Sequence, residues 1–402
     1  MTSEPPTRLL FINAHVYTPD QVHEPGWLLT EGSHIRLIGS GPPPPLLDGT
    51  ATRMIDAAGL HLLPGFIDLH AHGACGCDTM DASPAALHAM AQFYAQQGVT
   101  SFLPTTWTAS HEDTARALDV ITELTGRVPE GATILGAHME GPYLNADKSG
   151  AQASQHIRRA DPIEVRALLD QNHVRLVALA PEFPENMWLI EECVRRGITV
   201  SAAHTAATYQ QMMIAVEHGL RQATHTFNAM TGLGHREPGA VGAVMTSAHI
   251  RAELIADNIH VHPATMNVLV KVKGPDRVIL VTDAIRGAGR PDGEYKVDQR
   301  TMTVHDGAAR LPDGTLAGSV LTMDRALRNI MAATGLPLRD AWPMTSWNAA
   351  RSIGVAQTKG SLEVGKDADL VLINSTLQLI MTVVEGDVVH EVNTDRPRLA
   401  AI

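Results

Sequence analysis

The histidines and carboxylates that could do chemistry recur in this sequence where short apolar segments end. His70 and His72 stand two residues apart, so on a β-strand both side chains point the same way and can hold one metal ion. Glu140, His204 and His225 end three other apolar segments and could meet as a second set of ligands. Three protein ligands with an open position are typical of a catalytic metal site. The pattern therefore predicts bound divalent metal.

Each of these residues also has a structural interpretation. The sequence contains 20 histidines, and a single histidine at the end of a strand is more often structural than a ligand. We favour metal binding because the five ligand candidates and Asp283 together end five different segments. Asp283 could alternatively cap a helix or orient a ligand. His138 is interpreted as a supporting or core residue, and Met212 and Met213 as helix packing.

The elements that must position these residues are eight apolar segments that alternate with helical ones from His61 to Ile285. Such near-continuous apolar runs are typical of parallel strands that are buried on both faces. Helix starts are marked at Ser83-Pro84 and Ser110, and Gly98 and Gly126 mark the ends of those helices. Eight βα units predict a (β/α)8 barrel, whose active site lies at the carboxyl ends of its strands.

Both ends of the chain read instead as short strands and turns. RLLFINAHVYT near the start and GSLEVGKDADLVLINSTLQLIMTVVEGDVVH near the end are strand-like, and a proline-rich loop is predicted over 41–50. We therefore predict an α/β protein in which residues 63–352 form a (β/α)8 TIM-like barrel. Residues 1–62 and 353–402 are predicted to form a small β-sandwich domain built from both termini.

The composition limits the classes of partner. The chain has 31 Lys+Arg against 43 Asp+Glu, a formal net charge of −12, which argues against nucleic acid or an anionic membrane as the main partner. An anionic substrate would need a local basic pocket. The segment from Met1 to Arg8 lacks the apolar core of a signal peptide, and no apolar run is long enough to span a membrane. A cytoplasmic location is expected.

The three cysteines are too few and too unevenly placed for a disulfide framework, which suits a reducing compartment. Cys75 and Cys77 follow the first histidine pair in HGACGCD. They could be extra ligands or redox sensors. We favour small residues lining a tight turn, because their spacing provides no closed zinc set.

Seven motifs resemble the N-acetylglucosamine-6-phosphate deacetylase family of the amidohydrolase superfamily. They run in the same order from about Pro64 to Ser319: PGFIDLHAHG, HMEGPYLN, SAAHT, HTFNAM, REPG, VTDA and LAGS. The first motif and the tail GSLEVGKDADLVL are broad superfamily signals. The glutamate of EGP together with HTFNAM and REPG is more specific to this family.

The resemblance implies a role for each residue of the predicted metal site. Glu140, His204 and His225 match the ligands of the main catalytic metal, and His70 and His72 match a second position that some members lack. One or two divalent ions per chain are expected, with Glu140 bridging them. Zinc is the first choice, and iron, manganese or cobalt are alternatives because histidine and carboxylate ligands suit all four.

The resemblance also makes Asp283 the catalytic acid/base. A metal can lower the pKa of its bound water to roughly 7, which supplies the nucleophile that amide hydrolysis needs. A carboxylate must then take the proton of this water and pass it to the departing amine.

A further set of residues matches the family's substrate contacts: Ala151, Gln152, Asn228, Ala229, Arg236, His260, Leu316, Ala317, Gly318 and Ser319. Arg236 and His260 are expected to meet the 6-phosphate, since a forked guanidinium suits that group better than lysine does. A salt bridge at the surface or at an interface is the alternative for Arg236. The resemblance further suggests a homodimer with phosphate contacts near the subunit boundary.

One position departs from the family pattern. Members usually read Gly-Ala-His where this chain reads Gly150-Ala151-Gln152. Glutamine can donate a hydrogen bond but cannot carry a charge or relay a proton. We hypothesise that the Gln152 amide replaces the histidine as a donor to the substrate.

The function implied is hydrolysis of the acetamide of N-acetyl-D-glucosamine 6-phosphate to D-glucosamine 6-phosphate and acetate. One alternative is a deacetylase of a related amino sugar, such as N-acetylgalactosamine 6-phosphate or a non-phosphorylated sugar. The other is a non-catalytic barrel that binds a ligand, which the complete set of site residues disfavours.

Overall fold

The computed structural model describes residues 8–45, 50–298 and 300–392. Residues 1–7, 46–49, 299 and 393–402 lie outside it. They include most of the segment tested for a signal peptide, part of the predicted proline-rich loop and the end of the predicted second half of the small domain. Among the described residues, no helix has the length and apolar character that a membrane crossing requires.

The strands are, in chain order, β1 Arg8–Tyr17, β2 Val22–Glu31, β3 His34–Ser40, β4 Thr52–Asp56, β5 His61–Pro64, β6 Phe66–Ala71, β7 Gly73–Ala74, β8 Cys77–Asp78, β9 Val99–Thr106, β10 Thr133–Ile134, β11 Ala137–Glu140, β12 Val174–Leu179, β13 Thr199–Ala202, β14 Gln222–Ala223, β15 Arg251–Ile255, β16 Val278–Val281, β17 Gly293–Val297, β18 Arg300–His305, β19 Ala308–Arg310, β20 Leu316–Ser319, β21 Leu370–Ile373, β22 Leu379–Val384 and β23 Asp387–Glu391. The helices are α1 Pro84–Ala95, α2 His111–Leu124, α3 Pro162–Asp170, α4 Pro184–Arg195, α5 Tyr209–His218, α6 Gly239–Thr246, α7 Pro263–Lys273, α8 Met323–Thr334, α9 Leu338–Ala341 and α10 Trp347–Ser352.

The eight predicted apolar segments form the strands of a parallel barrel. Their order is β6-β9-β11-β12-β13-β14-β15-β16, each strand pairing in parallel with the next. A parallel bridge between Ala71 and Ala284 brings the last strand back to the first. The predicted (β/α)8 barrel is confirmed. Strand β9 is buried along its whole length because helices cover one face and the barrel interior fills the other.

Sequence signals at the helix ends agree with the structure in most respects. The Ser110 hydroxyl accepts the Asp113 amide at 3.1 Å at the start of α2. Ser83 occupies the N-cap of α1 with Pro84 at the first helical position, but its hydroxyl makes no capping bond. Gly98 follows α1 with a φ of +85°, a conformation that favours glycine.

A second sheet combines strands from both ends of the described chain. Its order is β23-β22-β21-β5-β1-β2-β3, with β4 beside β1. Its core contains Phe11, Leu28 and Leu370, all fully buried. The small β domain built from both termini is thereby confirmed. The division at 62/63 and 352/353 remains a prediction, and β5 spans the first of these points.

A four-stranded antiparallel sheet, β17 to β20, follows the eighth barrel strand, and the sequence analysis did not predict it. The last strand of this sheet returns to the barrel mouth. The Ser319 amide donates to the Asp283 carbonyl at 2.7 Å, and the Ile285 amide donates to the Ser319 carbonyl at 3.0 Å. The insertion therefore places the predicted substrate segment, 316–319, beside the predicted acid/base.

Candidate metal centre and active site

The two histidines at the end of β6 converge with one oxygen of Glu140. The Nε2 atoms of His70 and His72 lie 3.2 Å apart. Oε2 of Glu140 lies 3.2 Å from Nε2 of His72 and 3.6 Å from Nε2 of His70. All three side chains are buried. These atoms surround one position at which a cation would be held.

The other oxygen of Glu140 faces a second pair of histidines. Oε1 lies 3.3 Å from Nε2 of His204 and 3.1 Å from Nε2 of His225, and these two nitrogens are 3.2 Å apart. Both groups have ligand atoms close enough to hold one metal ion each. The structure thus brings all five predicted ligands together, and Glu140 divides its two oxygens between the two positions.

The orientation of the rings favours metal binding through Nε2. Nδ1 of His72 lies 3.1 Å from the Thr105 carbonyl, and Nδ1 of His204 lies 2.8 Å from the Lys148 carbonyl. Because a carbonyl only accepts, both Nδ1 atoms carry the proton. Each Nε2 is therefore the ring nitrogen that can present a lone pair to a metal ion.

Asp283 completes the cluster from the end of β16. Its Oδ1 lies 3.5 Å from Nε2 of His70 and 3.4 Å from Nε2 of His72, and this buried oxygen makes no hydrogen bond within the described residues. Burial by itself raises the pKa of Asp283, but the charge of His70 and the close approach of His72 outweigh burial and lower it to about 2. The predicted acid/base is therefore a carboxylate at neutral pH.

The electrostatics of the cluster favour added positive charge. Burial by itself lowers the pKa of His72, but the neighbouring carboxylates of Asp283 and Glu140 outweigh burial and raise it to about 9. Burial would likewise raise the pKa of Glu140, yet the surrounding histidines lower it well below its usual value. The two buried carboxylates therefore favour a proton on the neighbouring histidines. A divalent ion that displaced this proton from Nε2 would meet nitrogen lone pairs and carboxylate oxygens, a donor set that suits it.

Three of these side chains leave the barrel on strained backbone. His204, His225 and Asp283 have φ values of +42°, +32° and +49°, in the region that residues other than glycine rarely adopt. Each such residue costs on the order of 1–3 kcal/mol. The packing of the surrounding barrel offsets this cost. The resulting turn directs each side chain over the mouth of the barrel.

A cavity of about 340 Å³ opens above the cluster. Seven of the predicted substrate residues line it: Ala151, Gln152, Asn228, Ala229, His260, Leu316 and Gly318. Ala317 and Ser319 are buried beside it without lining it, and the Ser319 hydroxyl instead donates to the Thr282 carbonyl. Arg236 is exposed and does not line the cavity of this single chain, so the structure does not bring the two expected phosphate residues together.

His260 is held in place by an acidic neighbour. Oδ2 of Asp257 lies 2.6 Å from Nδ1 of His260, while Oδ1 accepts the backbone amides of Ile259 and His260, each at 2.8 Å. Burial by itself raises the pKa of Asp257, but its bonds with His260 lower it. The imidazole is therefore fixed through Nδ1, and its other edge is free to meet a ligand in the cavity.

Gln152 makes two side-chain hydrogen bonds at the cavity wall. Its amide nitrogen donates to Oε2 of Glu140 at 2.6 Å, and its amide oxygen accepts the Thr108 backbone amide at 2.8 Å. The Gln152 amide, which we predicted to donate to the substrate, therefore also donates to Glu140. One N–H of the amide remains for a ligand.

Sequence analysis missed several residues of the site. Trp107 lines the cavity and stacks on His72, with ring centroids 4.0 Å apart and an interplanar angle of 21°. Lys148 lines the cavity as a cation. Glu253, fully buried on β15, contacts Nδ1 of His70 at 3.2 Å. Each had a signal in the sequence: Trp107 follows the second barrel strand, Lys148 lies two residues before Gly-Ala-Gln, and Glu253 interrupts an apolar run.

The remaining residues singled out from the sequence lie around the site. Cys75 and Cys77 are half-buried at the hairpin between β7 and β8, and neither belongs to a candidate metal group of the described residues. His138 is buried, and its ring meets that of His70 edge-on at 4.7 Å. Met212 is buried in α5, and Met213 packs against the same core.

Comparison with known proteins places this arrangement among characterised enzymes. The model of the Amidohydrolase family matches residues 61–389. An N-acetylglucosamine-6-phosphate deacetylase of Lysinibacillus sphaericus is 38% identical over 341 residues, which cover 84% of this chain and 88% of the relative. An N-acetylgalactosamine-6-phosphate deacetylase of Escherichia coli O157:H7 is 39% identical over 327 residues, which cover 81% and 86%.

Solved structures give the same result. The N-acetylglucosamine-6-phosphate deacetylase of Pasteurella multocida superposes with a TM-score of 0.89 at 34% identity, covering 95% of this chain and 99% of the other. A mutant of the Mycobacterium smegmatis enzyme in complex with N-acetyl-D-glucosamine-6-phosphate superposes with a TM-score of 0.88 at 31% identity, again covering 95% and 99%.

Proposed function

Because this chain belongs to the N-acetylglucosamine-6-phosphate deacetylase family of the amidohydrolases, we propose that it hydrolyses the acetamide of N-acetyl-D-glucosamine 6-phosphate. The products are D-glucosamine 6-phosphate and acetate. The observation that carries the proposal is the convergence of four histidine Nε2 atoms on the two oxygens of Glu140, with Asp283 beside them, below a cavity.

One or two divalent ions per chain would be held by these residues. Glu140, His204 and His225 form one position, and His70, His72 and Glu140 form the other. A bound ion would polarise the acetyl carbonyl and make water a stronger nucleophile at neutral pH. Zinc is our first choice, and iron, manganese or cobalt suit the same nitrogen and oxygen donors.

Asp283 handles the proton in this reaction. As a carboxylate at the cavity floor it accepts a proton from the attacking water and donates it to the nitrogen of the departing amine. Its main chain is fixed by the bridge between Ala284 and Ser319, so the carboxylate is aimed before the substrate arrives.

The sugar phosphate is held by the cavity walls. Ala151, Gln152, Asn228, Ala229, Leu316 and Gly318 surround the sugar ring. His260, fixed by Asp257, meets the phosphate, and Lys148 adds a positive charge on the cavity wall. Arg236 is exposed and would reach a phosphate from the neighbouring subunit of a homodimer.

A phosphorylated sugar does not cross a membrane unaided, so the proposed place of action is the cytoplasm.

N-acetylgalactosamine 6-phosphate is the second candidate substrate. It is favoured by one observation, which is that a deacetylase of that sugar is as similar to this chain as the glucosamine enzymes are.

The test is acetate release from a panel of four sugars: N-acetylglucosamine and N-acetylgalactosamine, each free and as the 6-phosphate. The highest kcat/KM is expected for N-acetylglucosamine 6-phosphate. A higher value for the galactosamine ester would transfer the assignment to that sugar. Absence of acetate from all four, with metal supplied, would remove the deacetylase function.

A further inference from the structure

Glu253 is a buried carboxylate that none of the proposed chemistry uses. It lies on β15, is fully buried and does not line the substrate cavity. Oε2 lies 3.2 Å from Nδ1 of His70 and accepts the His225 backbone amide at 3.3 Å. Oε1 accepts the side-chain amide of Gln222. One carboxylate therefore contacts a ligand from each of the two candidate metal positions.

The contacts of Glu253 determine where the His70 ring carries its proton. The Ser352 hydroxyl donates to the amide oxygen of Gln222, which turns the Gln222 amide nitrogen toward Glu253. Because the Glu253 carboxylate only accepts, His70 must carry its proton on Nδ1. Nε2 of His70 then presents its lone pair toward Glu140 and His72.

The four candidate histidine ligands differ in the group that faces Nδ1, the ring nitrogen directed away from the metal positions. Main-chain carbonyls face Nδ1 of His72 and His204, and Nδ1 of His225 has no hydrogen-bond partner in the described part of the chain. His70 alone among them is backed by a carboxylate. A carboxylate behind an imidazole raises its basicity as a ligand and fixes its plane, and removal of such a partner typically costs about 10- to 100-fold in metal affinity.

We propose that Glu253 is a positioning residue that sets the ion affinity of the His70–His72 position, separately from the Glu140–His204–His225 position. The inference rests on the metal binding proposed above. Glu253 acts through the ring of His70, since it does not line the cavity and meets the other position at the His225 main chain. Its bond to the His225 main chain anchors the turn but leaves that ring untouched.

The variant that tests this proposal is Glu253→Gln, which keeps the shape of the side chain. The new amide oxygen can still accept from His70 and His225. The new amide nitrogen can donate to Gln222 after Gln222 rotates, and Ser352 can then accept from the rotated amide. Only the charge behind His70 is lost. Glu182→Gln is the matched control, because Glu182 accepts from Asn145, Thr205 and Ala206 and, in the described part of the chain, bonds to no histidine.

Metal-free protein would be titrated with Zn²⁺, and with Co²⁺ to follow its visible absorption, with bound metal counted by elemental analysis. Two ions are expected for the wild type and for Glu182→Gln. Glu253→Gln should bind one ion with unchanged affinity and the other about 10- to 100-fold more weakly. His70→Ala combined with Glu253→Gln should weaken binding no further than His70→Ala alone, because both changes act on one ligand.

Three results would overturn the proposal: a wild type that binds a single ion, unchanged affinities in Glu253→Gln, or a further loss in the double variant. A measurement on the wild type covers the case in which Glu253→Gln does not fold. ¹⁵N spectra of the zinc protein should show a protonated Nδ1 that disappears in His70→Ala, and the opposite tautomer would also overturn the proposal. Acetate release by the wild type tests the proposed function independently of these ion affinities.

Discussion

The side-chain amide of Gln152 donates to Oε2 of Glu140 at 2.6 Å, the oxygen that faces His70 and His72. Its amide oxygen is occupied by the Thr108 backbone amide. The glutamine therefore holds the shared carboxylate in one orientation while a second N–H remains for a ligand. Where the resemblance leads us to expect a histidine, this chain has Gln152. The replacement affects the orientation of the Glu140 carboxylate as well as contacts to the sugar.

Truncation of this side chain gives the first prediction. Gln152→Ala should lower kcat/KM by an amount equivalent to about 1–3 kcal/mol, because buried partners are left unpaired. Gln152→His should keep the same preferred sugar with kcat/KM within roughly tenfold of the wild type. Kinetics of both variants over the sugar panel measure this. If Gln152→His changes the preferred sugar, then Gln152 is a determinant of specificity.

The second prediction concerns the ion shared by Glu140, His204 and His225. His225→Ala should abolish nearly all activity and remove the ion at that position, because two remaining ligands leave it weakly held. Elemental analysis and acetate release are the measurements. His218→Ala is the control, since that histidine is exposed and, among the described residues, its side chain bonds only to Glu191. Activity that survives a chelator in protein free of metal would contradict metal dependence.

The third prediction concerns the proton carrier. Asp283→Asn should retain substrate binding and at least one ion but lower kcat by about 100-fold or more, because the amide cannot accept the proton of the attacking water. Pre-steady-state kinetics and metal analysis separate these effects. A variant with nearly normal kcat would exclude Asp283 from proton transfer.

The fourth prediction concerns the phosphate. His260→Ala and Arg236→Ala should each lower kcat/KM on the phosphorylated sugar by roughly 10- to 150-fold, because a charge-assisted contact is worth about 1.5–3 kcal/mol. On the free sugar both changes should have little effect. If Arg236 acts across a dimer boundary, its effect should weaken at concentrations where sedimentation shows monomer. Equal turnover of free and phosphorylated sugars by the wild type would contradict a phosphate site.

The fifth prediction concerns stability and pH. Burial lowers the pKa of Lys273 to about 8, and its ammonium donates to the Ser247 carbonyl at 2.7 Å. In the unfolded chain the pKa is about 10.4. Between these values the unfolded state binds more protons, so the free energy of unfolding rises with pH. Below pH 8 the full penalty of burying the charge remains.

The Tm of the wild type relative to that of Lys273→Met should therefore increase from pH 8 to pH 10. Lys271→Met, an exposed change on the same helix, is the control and should follow the wild type. A constant difference between wild type and Lys273→Met over this range would show that Lys273 keeps its charge throughout.

Much of the fold could be predicted from local sequence. The eight barrel strands were identified because strands buried on both faces need unbroken apolar runs, as in VTSFLPTT of β9. The candidate metal ligands were identifiable because strand ends meet at one face of a barrel. The inserted sheet β17–β20 was missed, since its strands are short and half-exposed and carry no such run.

The sequence by itself predicted the barrel, the five candidate ligands and the position of Asp283, because each depends on alternation within one strand or on the residue that ends it. Tertiary structure alone decided that Glu140 divides its oxygens, that Gln152 donates to Glu140, that Glu253 stands behind His70 and that Arg236 lies outside the cavity. Glu253 and His70 are separated by 183 residues, and Glu140 and His225 by 85. Contacts over such separations depend on how the strands tilt and close around the barrel. Because this geometry produces no local periodicity in the sequence, these contacts could not be predicted from it.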